Sequence, residues 1–283
     1  MTTTVGVGAE PYPTEEKRMR VAVAGGTGLV GSRVVDRLRA RGDEVVVLAR
    51  SVGVDIVADS GLSEALTGVE VVVDTTSVVA KTSQEYVDFF GTVARNLQKA
   101  AAAAGVHRIV TLSIVGIDGL GGGAFAHYDG KNAQERETES GTVPTAILRA
   151  TQFHDFAAQL IDWVAKGPLM PCPKQPVQTV DVDVVADELV ALAHEAASGG
   201  LASDRVRRDI AGPEKGVLAD LVRAVAKARG RRLLVIPVWL PGEAAKKVRS
   251  GVLQAPAGAK IAGGTFDAWL ARAYPKDADH LAT

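Results

Sequence analysis

The amino-acid sequence predicts an α/β protein built on a doubly wound parallel sheet, followed by a small C-terminal lobe. Short β-branched runs recur from Arg20 onward, separated by longer Ala- and Leu-rich segments of helical period, which is the pattern of a parallel sheet covered on both faces. A glycine-rich turn sits at the first junction between such a run and such a segment.

Strands are expected at residues 20–24, 44–48, 70–74, 108–112 and 145–148, with 55–57 as a further short candidate. Helices are expected at 29–40, 84–104 and 131–140. The first stops at Gly42 and the second at Gly105, where left-handed caps favour glycine. The apolar face of 84–104, with its alanine run 100–104, suits either coverage of the sheet or a homodimer contact. Beyond Thr151, Pro168, Pro171, Pro173 and Pro176 break the rhythm. Helices at 183–197, 218–229 and 266–273 and a strand at 233–238 follow without a clean repeat. The expected division is an N-terminal arm (1–19), a sheet domain (20–152) and a C-terminal lobe (153–283) packed on the same domain.

The 283 residues are 47% hydrophobic and 23% charged, enough for a sizeable core, and 32 Lys and Arg against 33 Asp and Glu leave the chain nearly neutral. That balance, with 5% aromatic residues, argues against nucleic acid as a partner. One cysteine, Cys172, excludes an intrachain disulfide and a thiolate zinc site. His107, His194 and His280 lack metal-ligand spacing, so no metal is expected. No apolar run approaches the roughly 18 residues of a membrane span, and residues 1–20 lack the apolar stretch of a secretory leader. A cytoplasmic protein without a membrane partner is expected.

The most informative stretch is 21–33, VAVAGGTGLVGSR, in which Gly25, Gly28 and Gly31 are spaced GxxGxxG between a strand and a helix. Glycine permits the tight turn and the approach of backbone amides to a pyrophosphate, and the following helix N-terminus favours negative charge. A dinucleotide is therefore expected on Gly25, Gly26, Thr27, Gly28, Leu29, Val30 and Gly31. The end of the second strand discriminates the two nicotinamide dinucleotides, because a carboxylate there would bond the ribose 2′-hydroxyl. Arg50 and Ser51 stand in that place and suit a 2′-phosphate, so NADP is preferred over NAD. Asp55 would serve NAD if its loop folded back. Thr75, Thr76 and Ser77 after the third main strand, and Ser113 after the next, are expected to line the same crevice.

Five segments together resemble the NmrA-like group of atypical short-chain dehydrogenases/reductases over about residues 20–270. They are AGGTGLVG (24–31), AGVHRIVTLSIVG (104–116), HYDGKNAQE (127–135), TAILRATQF (145–153) and DVDVVADEL (181–189). The resemblance implies a Rossmann-like fold, a substrate lobe formed by the C-terminal part, Lys131 on the nicotinamide ribose and Phe153 near the nicotinamide end. Catalytic members pair a Tyr with a Lys four residues later and use a Ser or Thr to polarise a carbonyl. Four residues before Lys131 stands His127, and Tyr128 is three before it, so either is a candidate proton donor. Ser113 matches the first position of the family's serine pair and Ile114 fills the second.

The leading expectation is an NADP-dependent oxidoreductase acting on a small carbonyl or enone, with Ser113, His127, Tyr128 and Lys131 as catalytic candidates. Two alternatives stand beside it: a non-catalytic NADP-sensing regulator, and a redox-neutral isomerase or cyclase using His127. Arg149 is expected to reach the ligand or to pair with a carboxylate, and His154 to face the cleft or to bond locally. The arginines at 205, 207 and 208 read as a solvated face.

Overall fold

The computed structural model describes residues 18–122 and 125–275. Its elements run β1 (Arg20–Ala24), α1 (Leu29–Ala40), β2 (Glu44–Leu48), a 3-10 turn (Arg50–Val52), α2 (Leu62–Ala65), β3 (Val71–Asp74), α3 (Ser83–Ala104), β4 (Arg108–Ile114), α4 (Ala126–Ser140) and β5 (Thr145–Ala150). There follow α5 (Phe156–Val164), β6 (Leu169–Pro173), β7 (Pro176–Val177), α6 (Val182–Ala197), β8 (Arg205–Ala211), β9 (Gly216–Val217), α7 (Leu218–Ala228), β10 (Leu234–Val238), α8 (Glu243–Arg249), β11 (Lys260–Ile261) and α9 (Phe266–Ala273). Most of the expected N-terminal arm, and His280, lie outside the described residues.

Seven strands form one parallel sheet in the order β11-β8-β5-β4-β3-β1-β2. The chain winds outward from β1 to β2 and then crosses back to β3, so a crevice opens at the carboxyl ends of β1 and β3, where ligands of such sheets bind. Alternation along each strand supplies two cores. Val21, Val23, Val71, Val73, Val110 and Leu112 meet α1 and α6 through Val34, Leu38, Val185 and Leu189. Ala22, Ala24, Val72 and Ile109 meet Leu62 and Leu66 on one side and Val93, Leu97 and Ala101 of α3 on the other. Because both faces are buried, the strands must be apolar throughout, which is why RVAVA and VVV read as continuous runs. Each fully buried Val or Leu contributes about 1.5–3 kcal/mol. The apolar face of α3 is used in covering the sheet.

Several elements differ from expectation. Helix α4 begins at Ala126 rather than 131, so His127, Tyr128 and Lys131 share one helix. Of residues 55–57 only Asp55 pairs, in an isolated bridge with Ser60. The segment RVRRDIA, whose arginines read as a solvated face, is the sheet strand β8. Its side chains alternate: Arg207 pairs with Glu139 of α4 on one face and Arg208 with Glu195 of α6 on the other. The aliphatic stems cover the sheet while the guanidinium groups reach helix carboxylates.

The chain after Phe153 divides between two places. Helix α6 and strands β8 and β11 complete the central layers, whereas α5, β6, α7, β10 and α9 enclose a second core around Ile161, Met170, Cys172, Val222, Phe266 and Trp269. Among the described residues no helix is long and apolar enough to cross a membrane.

Candidate functional site

The glycine turn is shaped by contacts that only glycine permits at two positions. Gly25 has φ +73°, and a Cβ there would lie 3.0 Å from the carbonyl carbon and oxygen of Thr75. A Cβ on Gly31 would lie 2.1 Å from the Gly25 oxygen, so the absence of a side chain lets α1 pack against the turn. The N-terminus of α1 is bare: Gly28 offers no side-chain cap and the first turn holds no acid. Thr27, Gly28 and Leu29 are exposed, whereas Gly26 and Val30 point into the protein. Exposed amides at a helix N-terminus without a competing carboxylate are suited to a pyrophosphate.

Strand β2 ends beside this turn, since the Gly25 amide bonds the Leu48 oxygen at 3.2 Å. Arg50 and Ser51 follow at once and are exposed, and Arg50 has no acidic partner among the described residues. Asp55 is engaged elsewhere, its Oδ1 accepting the amides of Val57 and Ala58 at 3.0 and 3.1 Å.

The end of β3 closes the other side of the crevice. The Thr75 hydroxyl donates to the Ala24 oxygen at 2.8 Å, and Thr76 donates through its amide and hydroxyl to Asp74 Oδ1 at 2.9 and 2.7 Å. Ser77 is exposed at the rim. In register with Asp74 on β4 is Thr111, and Ser113 lies two residues further on the same face. The hydroxyls of both are buried without a hydrogen-bond partner among the described residues.

Helix α4 brings three candidates to this region but turns them differently. The His127 ring packs edge-on between Tyr86 and Phe90 of α3, with centroids 5.2 and 5.5 Å away. Burial, helped by the charge of Lys131, pushes its pKa down to about 4, so the imidazole is neutral at pH 7. Tyr128 stacks on Phe125 and packs against the cluster of Leu120, Val248 and Leu253, where α8 covers it. Burial pushes its phenol up to about 12, with the Gln152 side chain pulling the other way, so Tyr128 stays protonated. Both amide atoms of Gln152 are buried and, although the side chain faces the Tyr128 phenol, neither has a partner at full hydrogen-bond distance among the described residues. Lys131 is buried and donates to the Leu112 oxygen at 2.7 Å and to Gln134 Oε1, with its ammonium 4.8 Å from the Phe90 ring centroid. Tyr128 and Lys131 therefore have separate partners.

The remaining expected groups are engaged in structure. Arg149 bonds Asp118 and Glu135 through paired contacts of 2.6–3.0 Å. His154 is buried, its Nδ1 2.8 Å from the Thr179 hydroxyl and its ring against Phe266 and Trp269. Phe153 bridges to Val180 and packs on the α1–α6 core. Cys172 is buried and its thiol pKa is pushed up to about 11. Three residues were not singled out from the sequence: Asp74, Gln134 and Gln152. A carboxylate ending the VVV run and a glutamine one helical turn beyond Lys131 were the available signals for the first two.

Residues 21–145 match the NAD dependent epimerase/dehydratase family. The match runs from β1 to the first residue of β5 and covers the glycine turn, the strand ends and α4. Curated relatives align over a short stretch only. UDP-glucuronic acid decarboxylase 1 of Arabidopsis thaliana is 51% identical over 41 residues, and decarboxylase 4 of the same plant is 54% identical over 41. In each case the alignment spans 14% of this chain and 9% of the relative's length. Solved structures align far more widely. MoeE5 in complex with UDP-glucose and NAD superposes with TM-score 0.66 at 18% identity, covering 90% of this chain and 99% of that one. The UDP-N-acetylglucosamine 4-epimerase from Bacillus cereus does so with TM-score 0.63 at 16% identity, covering 90% and 95%. These likenesses show the Rossmann-like fold; the match names the epimerase/dehydratase family rather than the NmrA-like group.

Proposed function

We propose that the protein is an NADP-dependent oxidoreductase of the short-chain type, NmrA-like in character, acting on a small carbonyl or enone. The observation that carries this reading is the glycine turn with its bare helix N-terminus, next to a strand end that presents Arg50 and Ser51 in place of a carboxylate. The pyrophosphate would lie on Gly25 to Gly31, the 2′-phosphate at Arg50 and Ser51, and the dinucleotide between Thr75–Ser77 and Lys131, with Phe153 toward the nicotinamide end. A bound nicotinamide supplies or accepts the hydride. Tyr128, held as a neutral phenol beside Gln152, is the proton donor, and the unpaired Ser113 hydroxyl and Gln152 amide orient the substrate oxygen. The fold division follows: residues 20–152 bind the dinucleotide, and the chain beyond 153 shapes the substrate pocket.

One observation favours a second reading, a cofactor-sensing regulatory protein. Lys131 is closed onto the Leu112 oxygen and His127 is wedged on α3, so the usual tyrosine position carries no group free to react. The same wedging and the low His127 pKa weigh against redox-neutral acid–base chemistry on that histidine.

The deciding experiment is a thermal-shift titration with NADPH and NADH, followed by nicotinamide absorbance with carbonyls, quinones and, because of the fold relatives, UDP-sugars. Ligand at about 100 times its Kd stabilises by ~2.7 kcal/mol, or roughly 5–10 °C. A shift with NADPH and oxidation by a carbonyl or quinone is expected. A shift without oxidation transfers the reading to the sensor, and no shift with either dinucleotide overturns both.

A further inference from the structure

We propose that Asp74 and Gln134 are positioning residues that hold Lys131 charged and fixed beneath the dinucleotide cleft, through a bridged ion pair running Lys131–Gln134–Asp74. The inference deepens the dinucleotide-binding reading and rests on it.

The three side chains are almost wholly buried, with exposures of 5% for Lys131, 0% for Gln134 and 1% for Asp74. Gln134 Nε2 donates to Asp74 Oδ2 at 2.7 Å. An amide has one donor end and one acceptor end, so Gln134 Oε1 is left to face the Lys131 ammonium, which donates to it. The other carboxylate oxygen of Asp74 is held by the amide and hydroxyl of Thr76. No carboxylate lies within ion-pair distance of Lys131 among the described residues, so its nearest route to a counter-charge is this relay. Burying an ammonium without compensation is costly, and a bridging amide transmits part of the stabilisation.

The relay joins two parts of the site. Thr76 adjoins Thr75, which bonds the Ala24 oxygen and borders Gly25, whereas Lys131 and Gln134 lie on α4. The other groups facing Lys131 do not replace Asp74. Glu135 of α4 is committed to Arg149 of β5, His127 is neutral, and α3 presents the Phe90 ring. Two of the three ammonium protons are used, on Leu112 and Gln134, and the third has no acceptor among the described residues. Burial draws the lysine down to about 8 while Asp74 and Glu135 pull it up.

The test uses the full chain and the variants Asp74→Asn and Gln134→Met, with Lys131→Met to identify the lysine signal. Side-chain NMR of the 15N-lysine-labelled protein follows the Lys131 ammonium through its titration. NADPH fluorescence then gives Kd at pH 6 and pH 8. Each variant is expected to lower the titration midpoint by about one pH unit. The charged fraction at pH 8 then falls from about a half to about a tenth, weakening NADPH about fivefold at pH 8 and hardly at all at pH 6. A merely structural role would weaken binding equally at both. An unchanged midpoint in either folded variant, or equal losses at both pH values, overturns the proposal. If the unaltered protein binds no NADPH, the dinucleotide reading fails on its own, and the NMR midpoints still decide the coupling of Asp74 to Lys131.

Discussion

Gly31 sits directly against the carbonyl oxygen of Gly25, so close that a methyl group on Gly31 would lie 2.1 Å from that oxygen. The obstacle is backbone, which cannot rotate away as a side chain would. Gly31→Ala must therefore push α1 off the turn that it caps. The expected result is a loss of about 1–3 kcal/mol in urea unfolding, together with loss of the NADPH thermal shift. Retention of both would show that the turn is more pliable than its packing implies.

Arg50 has no acidic partner among the described residues, and its removal should cost the fold little. Charged hydrogen bonds to a phosphate contribute more than neutral ones, so Arg50→Ala should weaken NADPH roughly tenfold while leaving NADH unchanged. Equal effects on the two dinucleotides would remove the 2′-phosphate from this position.

Tyr128 is a protonated phenol at neutral pH and lies beside an unpaired amide. Tyr128→Phe keeps the stack on Phe125 and deletes only the hydroxyl. Turnover with the best carbonyl substrate should fall by about 10²-fold or more, with the NADPH thermal shift preserved. Unimpaired turnover would assign the proton to another donor.

His127 gives a prediction with a sign. Its folded pKa, about 4, lies below the ordinary 6.5, so as pH falls the unfolded chain takes up the proton first. The stability contributed by the neutral packed ring is present above about pH 6.5 and is lost between 6.5 and 4. The full contribution is on the order of 3 kcal/mol. His127→Phe keeps an aromatic ring between Tyr86 and Phe90 without a titrating group, and its urea-unfolding stability should decline less than that of the unaltered protein across this interval. Parallel declines would place the acid loss on the carboxylates instead.

The legible parts of the fold are those whose signal is local. RVAVA, VVV and the 84–104 helix announce themselves because a strand buried on both faces must be apolar at every position and a covering helix must repeat every third or fourth residue. The glycine turn was legible for the same reason, since a sharp strand-to-helix reversal and a close helix approach both demand glycine within a few residues of chain. Strand β8 was not legible. Its arginines look solvated until α4 and α6 bring Glu139 and Glu195 to opposite faces of it.

The sequence by itself determined the parallel α/β architecture, the glycine-rich strand-to-helix turn and the absence of a carboxylate immediately after β2, because each depends on residue types and short spacings. Only the tertiary structure decided what the residues of 127–135 touch. The spacing to Lys131 left His127 and Tyr128 equal, and packing separated them: α3 takes the imidazole between two rings, while Phe125 and α8 enclose the phenol. The partner of Lys131 was likewise beyond reach of the sequence, since Asp74 lies 60 positions from the Gln134 that joins them. Hydrogen bonds between buried polar groups depend on which strand end and which helix face are brought together, and that is a property of the assembled layers.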